Sequence, residues 1–507
     1  MFSLNFKISI LYFFLSFVLL NTSVLLSQEI EDEYDPQDFE SIDISDDDFI
    51  DLITNNVKYF SQFRMSNKSS TKKWQYIDKI KTEKWNLALR SDVDSDNGIR
   101  LSKFYGSFYV LKSKIVLGNI GINFGQGLLF SNKYGRMRSV SNPGSVFRDM
   151  QKTKEDLSSA FTKDLMGVGI IKNIRKFTVK ALLLQNNSHS NPVNIGICEI
   201  SKISKQESVS FHVGYQKMQP NILDFISNVH FSKKLYKITF SGEVACSLNL
   251  LSYIINLKKE TGPFSILLQK RYFPKNWQSI IGGPVSGFSS GENETGLFCG
   301  FRFKNKHILM SAWIDMYKEN EIDEAPINIG SDKLIYLSTN LKQFGKSFVQ
   351  IREKEKYSFS TSSEFGIESS MWILQTKQNF KFQHNFKRYL DLKISLYMCR
   401  IKSELLADEK GSLLSVKIKK QMDNNNYEAG LNIYKIDSWD ARIYQFNPSL
   451  RGEFNLKAFY GKGCSFFAKT SYKFTPQTIV SFRGFLNFEN MKNNIEQEFS
   501  IQMEFKL

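Results

Sequence analysis

The 507-residue sequence predicts an all-β fold, one large transmembrane antiparallel β-barrel of about 22–26 strands. Three observations carry that expectation. In the segment Ile495 to Leu507, Phe499, Ile501, Met503, Phe505 and Leu507 alternate strictly with Glu498, Ser500, Gln502, Glu504 and Lys506, so one face suits lipid and the other water. Similar period-2 segments of about 9–11 residues, the length of a tilted membrane-crossing strand, recur from residue 56 onward. Beyond residue 20 no apolar run approaches the ~20 residues of a spanning helix. A secreted chain without such a helix crosses a membrane only as a closed barrel, because lipid satisfies no backbone hydrogen bond.

Residues 1–27 read as a signal peptide: Lys7 precedes the apolar run Ile8 to Leu20, and small or polar residues continue to Ser27 and Gln28. No Cys stands at that junction to direct lipoprotein processing. Residues 28–55 read as an acidic periplasmic leader, with twelve carboxylates and no Lys or Arg between Glu29 and Asp51. A solvated, disordered segment is one reading of it, and a tail lying in or over a basic lumen is another. Residues 56–507 are the barrel. The whole chain carries +16, but with those twelve acids and Lys7 set aside, 66 basic residues face 39 acidic ones, an excess of +27.

Within the barrel, Trp85, Leu87 and Leu89 alternate with Asn86, Ala88 and Arg90, and Val209, Phe211, Val213 and Tyr215 alternate with Ser210, His212, Gly214 and Gln216. Ile238, Phe240 and Val244 oppose Thr239, Ser241 and Glu243, while Leu414, Val416 and Ile418 oppose Ser415, Lys417 and Lys419. Val480, Phe482, Leu486 and Phe488 oppose Ser481, Arg483 and Asn487. The inward sets mix Lys, Arg, Glu and Ser, which predicts a wet interior. The 44 Phe and 21 Tyr suit a lipid-facing band with aromatic girdles. Two connections are too long for turns, residues 125–165 and the Gly/Ser-rich 273–295, and each either folds inward as a constriction or extends over the surface. The first carries Lys133, Arg136, Arg138, Arg148 and Lys154, the expected pore and anion contacts.

Motifs for chemistry are missing. Cys198, Cys246, Cys299, Cys399 and Cys464 are dispersed and form no CxxC pair, and the five His are equally scattered, so no disulfide framework, metal site or cofactor is expected. Gly287-Phe288-Ser289-Ser290-Gly291 matches a nucleophile elbow in spelling only, because no helical pattern follows it. The chain is therefore not expected to be an enzyme. Basic residues interleaved with aromatics, as in Lys270-Arg271-Tyr272-Phe273 and Phe459-Tyr460-Gly461-Lys462, suit polyanions, or reflect a general Lys bias.

Five strings add a family. They are Leu117-Gly118 through Gly125-Gln126-Gly127-Leu128, Arg271-Tyr272 through Gln278, Asn293-Glu294-Thr295-Gly296-Leu297, Asp437 through Asp440-Ala441-Arg442-Ile443-Tyr444, and Tyr460-Gly461-Lys462-Gly463. Together they resemble outer-membrane barrels of Bacteroidota and related bacteria labelled helix-hairpin-helix domain-containing proteins. The resemblance implies an outer-membrane barrel and singles out Gly125, Gln126, Gly127, Arg271, Tyr272, Asn293, Glu294, Gly296, Asp437, Asp440, Arg442, Tyr444, Gly461 and Gly463. It also implies DNA-binding repeats between signal and barrel, and this chain has none of their Gly-containing helical hairpins there. The expected location is the outer membrane of a Gram-negative bacterium, with lipid, lipopolysaccharide and the barrel-assembly machinery as partners. The expected function is a channel or uptake component for polar, anionic solutes. The alternatives are a DNA-uptake barrel, with nucleic acid as the ligand, and a non-transporting scaffold or adhesion protein.

Overall fold

The computed structural model describes residues 58–506 except 69–70, 83, 95–97, 132–138, 148–149, 158–164, 187–192, 205–206, 220–221, 278–281, 288–291, 321–326, 342–344, 365–366, 388–389, 404–407, 452–454 and 490–493. The expected signal peptide and acidic leader lie outside the described residues. The strands are β1 Lys58–Lys68, β2 Thr71–Lys81, β3 Trp85–Asp94, β4 Gly98–Val110, β5 Ser113–Gly125, β6 Met150–Glu155, β7 Leu165–Ile174, β8 Phe177–Asn186 and β9 Val193–Ile203. Next come β10 Glu207–Gln219, β11 Ile222–Leu235, β12 Ile238–Ser247, β13 Leu250–Thr261, β14 Phe264–Phe273, β15 Glu294–Lys304, β16 Ile308–Glu319, β17 Ile329–Leu341 and β18 Gly345–Glu364. The last nine are β19 Ile367–Lys387, β20 Asp391–Ser403, β21 Glu409–Gln421, β22 Asn425–Ile436, β23 Ile443–Phe446, β24 Leu456–Phe459, β25 Gly461–Lys473, β26 Thr478–Glu489 and β27 Asn494–Lys506.

Twenty-four of these strands form one closed antiparallel barrel, within the expected range. Each wall strand pairs with its neighbour in sequence, and β27 closes onto β1 through partners running from Phe60↔Lys506 to Lys68↔Glu498. Closure leaves no sheet edge facing lipid. β6 pairs only with the second half of β5, from Ile120↔Glu155 to Gly125↔Met150, while the first half pairs with β7. β23 and β24 form a separate hairpin. Because the strand number is even, the start of β1 and the end of β27 share one rim. That rim carries short turns such as 111–112, 175–176, 236–237 and 262–263; the opposite rim carries 126–164, 274–293 and 437–460. Short turns mark the periplasmic end of such barrels and long loops the extracellular end.

The alternation sorts residues as the sequence anticipates. Val209, Phe211, Val213 and Tyr215 are exposed on the lipid side, whereas Ser210, His212 and Gln216 point inward and are buried. On the closing strand Phe499, Ile501 and Met503 are exposed, and Ser500, Gln502 and Glu504 are buried. The interior departs from a uniformly wet one. Leu182, Leu184, Ile195, Ile197, Ile226, Ala245 and Ile254 point inward too, where they pack in one cluster with Phe124, Leu128, Leu129, Phe130 and Trp277. These last five belong to the two long connections foreseen in sequence or to their approach, so both connections fold into the lumen. A third, 437–460, does the same: Ala441, Ile443 and Phe459 pack on Leu413, Tyr434 and Ile436.

The face assignment has a direct consequence. Phe211→Arg places a charge within the apolar band and should weaken barrel stability by about 2–4 kcal/mol, whereas Asn379→Arg on the half-buried lumen side should change it by less than half of that. Urea titrations of refolding into liposomes check this; equal losses would refute the register.

Candidate functional site

The wall strands β18 to β21 place a patch of cations on the lumen side. Inward residues are fixed by register from buried Phe348, Gln383, Ser395 and Ser415: Phe348 opposes Gln383, which opposes Ser395, which opposes Ser415. Residues an even number away share that face, so Arg352, Lys354, Lys377, Lys381, Lys393 and Lys417 all point into the barrel. Lys354 stands opposite Lys377 and Lys393 opposite Lys417. All six are half-buried. Of the lumen-facing carboxylates on these four strands, Asp391 and Glu409 lie one near each rim. Arg352 is paired with Asp332 of β17 at 2.6 Å, and Lys381 lies 5.1 and 4.9 Å from the ring centroids of Phe348 and Tyr397.

Connection 437–460 lies against this patch and is held largely by its own backbone carbonyls. Lys377 Nζ donates to Asp440 O at 2.6 Å, Lys417 Nζ to Phe446 O, and Lys469 Nζ to Ser449 O at 2.7 Å. Gln62 Nε2 and Arg64 Nη2 both donate to Arg451 O, at 3.0 and 2.5 Å, and Arg451 in turn reaches Glu504 at 3.3 Å. Neutral carbonyls occupy donors on charged groups, where an anion would bind more strongly.

On the opposite side, buried charges hold the other two connections. Glu243 of β12 accepts from the backbone N–H of Gln126 and from Asn228 Nδ2. Gly125, at φ 53°, brings the chain so close that a Cβ would stand 2.8 Å from the Glu243 carboxylate. Gly127 donates to Phe124 O at 3.2 Å and accepts from Gly283 N–H at 3.0 Å, joining the two connections. Deeper, Ser311 Oγ donates to Val140 O at 2.7 Å and Arg302 Nη1 to Asn142 Oδ1 at 3.3 Å. A cavity of about 310 Å³ lies there between the wall and residues 142–144, lined in part by Ser241, Asn256, Lys258 and Arg302.

The second connection rests on Arg271. Its guanidinium is fully buried, bonds Asp315 through both terminal nitrogens at 2.7 and 3.1 Å, and bonds Glu294 through Nε at 2.5 Å. Glu294 also accepts from Ser286 Oγ at 2.6 Å and from the Gly287 N–H at 2.9 Å, so the carboxylate ties the connection to the wall. Gly296 makes room: a Cβ there would stand 2.3 Å from the guanidinium carbon.

Of the motif positions, Arg271, Glu294 and Gly296 thus meet in one cluster, and Gly125, Gln126 and Gly127 meet at Glu243. Asn293, at φ 49°, donates its N–H to Pro274 O at 3.2 Å. Tyr272 lies on the lipid side, stacked on Tyr253 at 5.6 Å. Asp437 accepts the Lys410 N–H at 2.8 Å, and Arg442, 3.8 Å from Asp440, covers the rings of Trp439 and Tyr444 at 4.7 and 5.5 Å. Gly461 opens β25 opposite Ile436, and Gly463 faces Tyr434. Lys154 sits on β6 opposite Gly121 and is exposed. Lys133, Arg136, Arg138 and Arg148 lie outside the described residues, as do Ser289 and Gly291 of the elbow-like string.

No family model and no curated protein matches the chain. Solved structures similar to it include the copper transporter OprC, at 7% identity and TM-score 0.46, with 90% of this chain and 84% of that chain covered. The siderophore receptor PirA from Pseudomonas aeruginosa, at 7% and 0.43, covers 90% and 81%, and the FrpB iron transporter from Neisseria meningitidis, at 9% and 0.41, covers 90% and 82%. At these identities and scores the likeness carries no functional inference. The chain is a large outer-membrane β-barrel.

Arg271 supplies the stability prediction. Removing the guanidinium takes away the counter-charge that two buried carboxylates share, so Arg271→Ala should cost about 3–5 kcal/mol, and Arg271→Lys, without the planar fork, should recover only part of it. Urea midpoints of the folded barrel in detergent measure the loss; a change within experimental scatter would show that the pair does not anchor the connection.

Proposed function

We propose that this protein is an outer-membrane channel or uptake component for polar, anionic solutes. One observation carries the reading: Arg352, Lys354, Lys377, Lys381, Lys393 and Lys417 share the lumen face of four adjacent strands and remain half-exposed there. The facing side of the lumen is filled by the dry packing of the first two connections, so a solute path runs along the basic side. Cations in a pore attract anions and repel cations, and the low-dielectric wall strengthens both effects. Connection 437–460 lies in that path, held by lysine-to-carbonyl bonds that an anion can replace at little cost to the lysines. The expected anion contacts Lys133, Arg136, Arg138, Arg148 and Lys154 belong to the same reading, with Lys154 as the one among the described residues.

In planar bilayers the purified barrel should conduct with anion preference. The triple variant Lys381→Gln, Lys393→Gln and Lys417→Gln should shift the reversal potential toward non-selectivity while heat-modifiable migration stays normal. Cation preference in the unmodified protein, or no conductance across a range of anions, would overturn the channel reading.

A further inference from the structure

The outer face of the wall is electrically uneven at its loop end. Register places Arg400 and Lys402 of β20, Lys410 of β21, Lys435 of β22 and Lys462 of β25 on the lipid side: Arg400 opposes Lys410, Ser412 opposes Lys435, and Lys435 opposes Lys462. All five are exposed, and the residues between them on the same strands, Cys399, Ile401, Gly411, Tyr434 and Ile436, are buried on the lumen side. With strands about 4.8 Å apart, the five form a strip roughly 15 Å wide. Toward the membrane centre Met398 and Ile433 follow at once on their strands, and Leu414 and Phe466 follow after Ser412 and Cys464; all four are exposed and apolar.

Charge neutralisation within the strip is incomplete. Asp408 bonds Arg400 at 2.6 Å, and that bond first, then the charges of Lys402 and Lys410, holds its carboxyl below the usual range. Asp437 accepts the Lys410 backbone N–H, so Asp408 and Asp437 set two carboxylates against five cations. The neighbouring wall is different: Lys333 of β17, also outward, meets both Glu353 and Glu355, at 3.3 and 2.9 Å. Like charges side by side on a sheet repel one another. A strip of them at the upper edge of an apolar band requires counter-charge from outside the chain.

We infer that this strip binds the phosphates of a phosphorylated glycolipid of the outer leaflet, with the cations on the head-group and Met398, Leu414, Ile433 and Phe466 against an acyl chain. Its position fits the source: the strip lies at the extracellular rim, at the depth where the apolar band ends, so a lipid phosphate reaches it without leaving the membrane interface. The lumen is not involved, and the inference stands apart from the anion-channel reading.

The test uses the full barrel in neutral detergent and bisphosphorylated lipid A as the probe, with phosphatidylethanolamine and inorganic phosphate alongside. The unmodified protein should retain lipid A in a salt-sensitive manner and bind it far better than phosphatidylethanolamine. The pairs Lys402→Gln with Lys410→Gln and Lys435→Gln with Lys462→Gln should each weaken retention about tenfold, and all four together about a hundredfold, with selectivity in bilayers unchanged. The pairs keep the question answerable if the quadruple variant assembles poorly. A control set of outward cations elsewhere on the wall, Lys217→Gln, Lys270→Gln and Lys318→Gln, should leave retention intact. Retention by both pairs equal to that of the unmodified protein, equal binding of dephosphorylated lipid A, or displacement by inorganic phosphate as effective as by lipid A would each overturn the assignment.

Discussion

The demand that no backbone polar group face lipid unpaired governs everything else in this protein. It is met by the pairing of β27 with β1, which turns an open sheet of 24 wall strands into a cylinder. Closure with an even strand number puts both wall termini at one rim, so every second connection is free to be long and all the long ones emerge at the other. From that topology follows a protein with a plain periplasmic rim and an elaborated extracellular one.

A cylinder of this circumference encloses more space than its own side chains fill, and three connections turn inward to occupy it. They are held by different means. The first two bury apolar side chains against the lumen side of β8 to β13 and are fixed by carboxylates, Glu243 on the Gln126 N–H and Glu294 on the Gly287 N–H. Buried carboxylates of this kind are costly unless fully partnered, and Arg271, shared between Glu294 and Asp315, supplies the partner for two of them. The third is held chiefly by lysines on carbonyls, beside half-exposed cations. The difference divides the lumen into a dry side, packed with apolar side chains, and a basic side lined by half-exposed cations.

The lipid side shows the same logic in reverse. Isolated outward cations such as Lys270 sit among apolar neighbours, and Lys333 is matched by Glu353 and Glu355, but from β20 to β25 outward cations accumulate with little compensation. Two basic regions, one inside on β18 to β21 and one outside on β20 to β25, overlap on opposite faces of a single sheet. The two meet on β20 and β21, where Arg400, Lys402 and Lys410 point outward and Lys393 and Lys417 inward.

By itself the sequence determined the fold class, the location of the strands and the two faces of most of them, because side-chain alternation with period two is a local property that a lipid–water boundary enforces on every strand. Phe211 against Ser210 and Phe499 against Ser500 were legible for that reason, and so was the closing role of the last strand. Where the lumen is dry the alternation fades, since β8 and β9 carry Leu182, Leu184, Ile195 and Ile197 inward beside Leu183 and Ile200 outward, and that inward apolarity makes sense only once Phe124, Phe130 and Trp277 are packed against it. The third inward connection, 437–460, lacks the Gly/Ser richness of 274–293, so its sequence carries no mark of a long connection. Tertiary structure alone decided that Arg271 meets Asp315 across 44 residues, that Gln126 meets Glu243 across 117, and that lysines scattered from 354 to 417 share one patch. These pairings depend on register and closure, which are set by the sum of all strand contacts rather than by any segment of the chain.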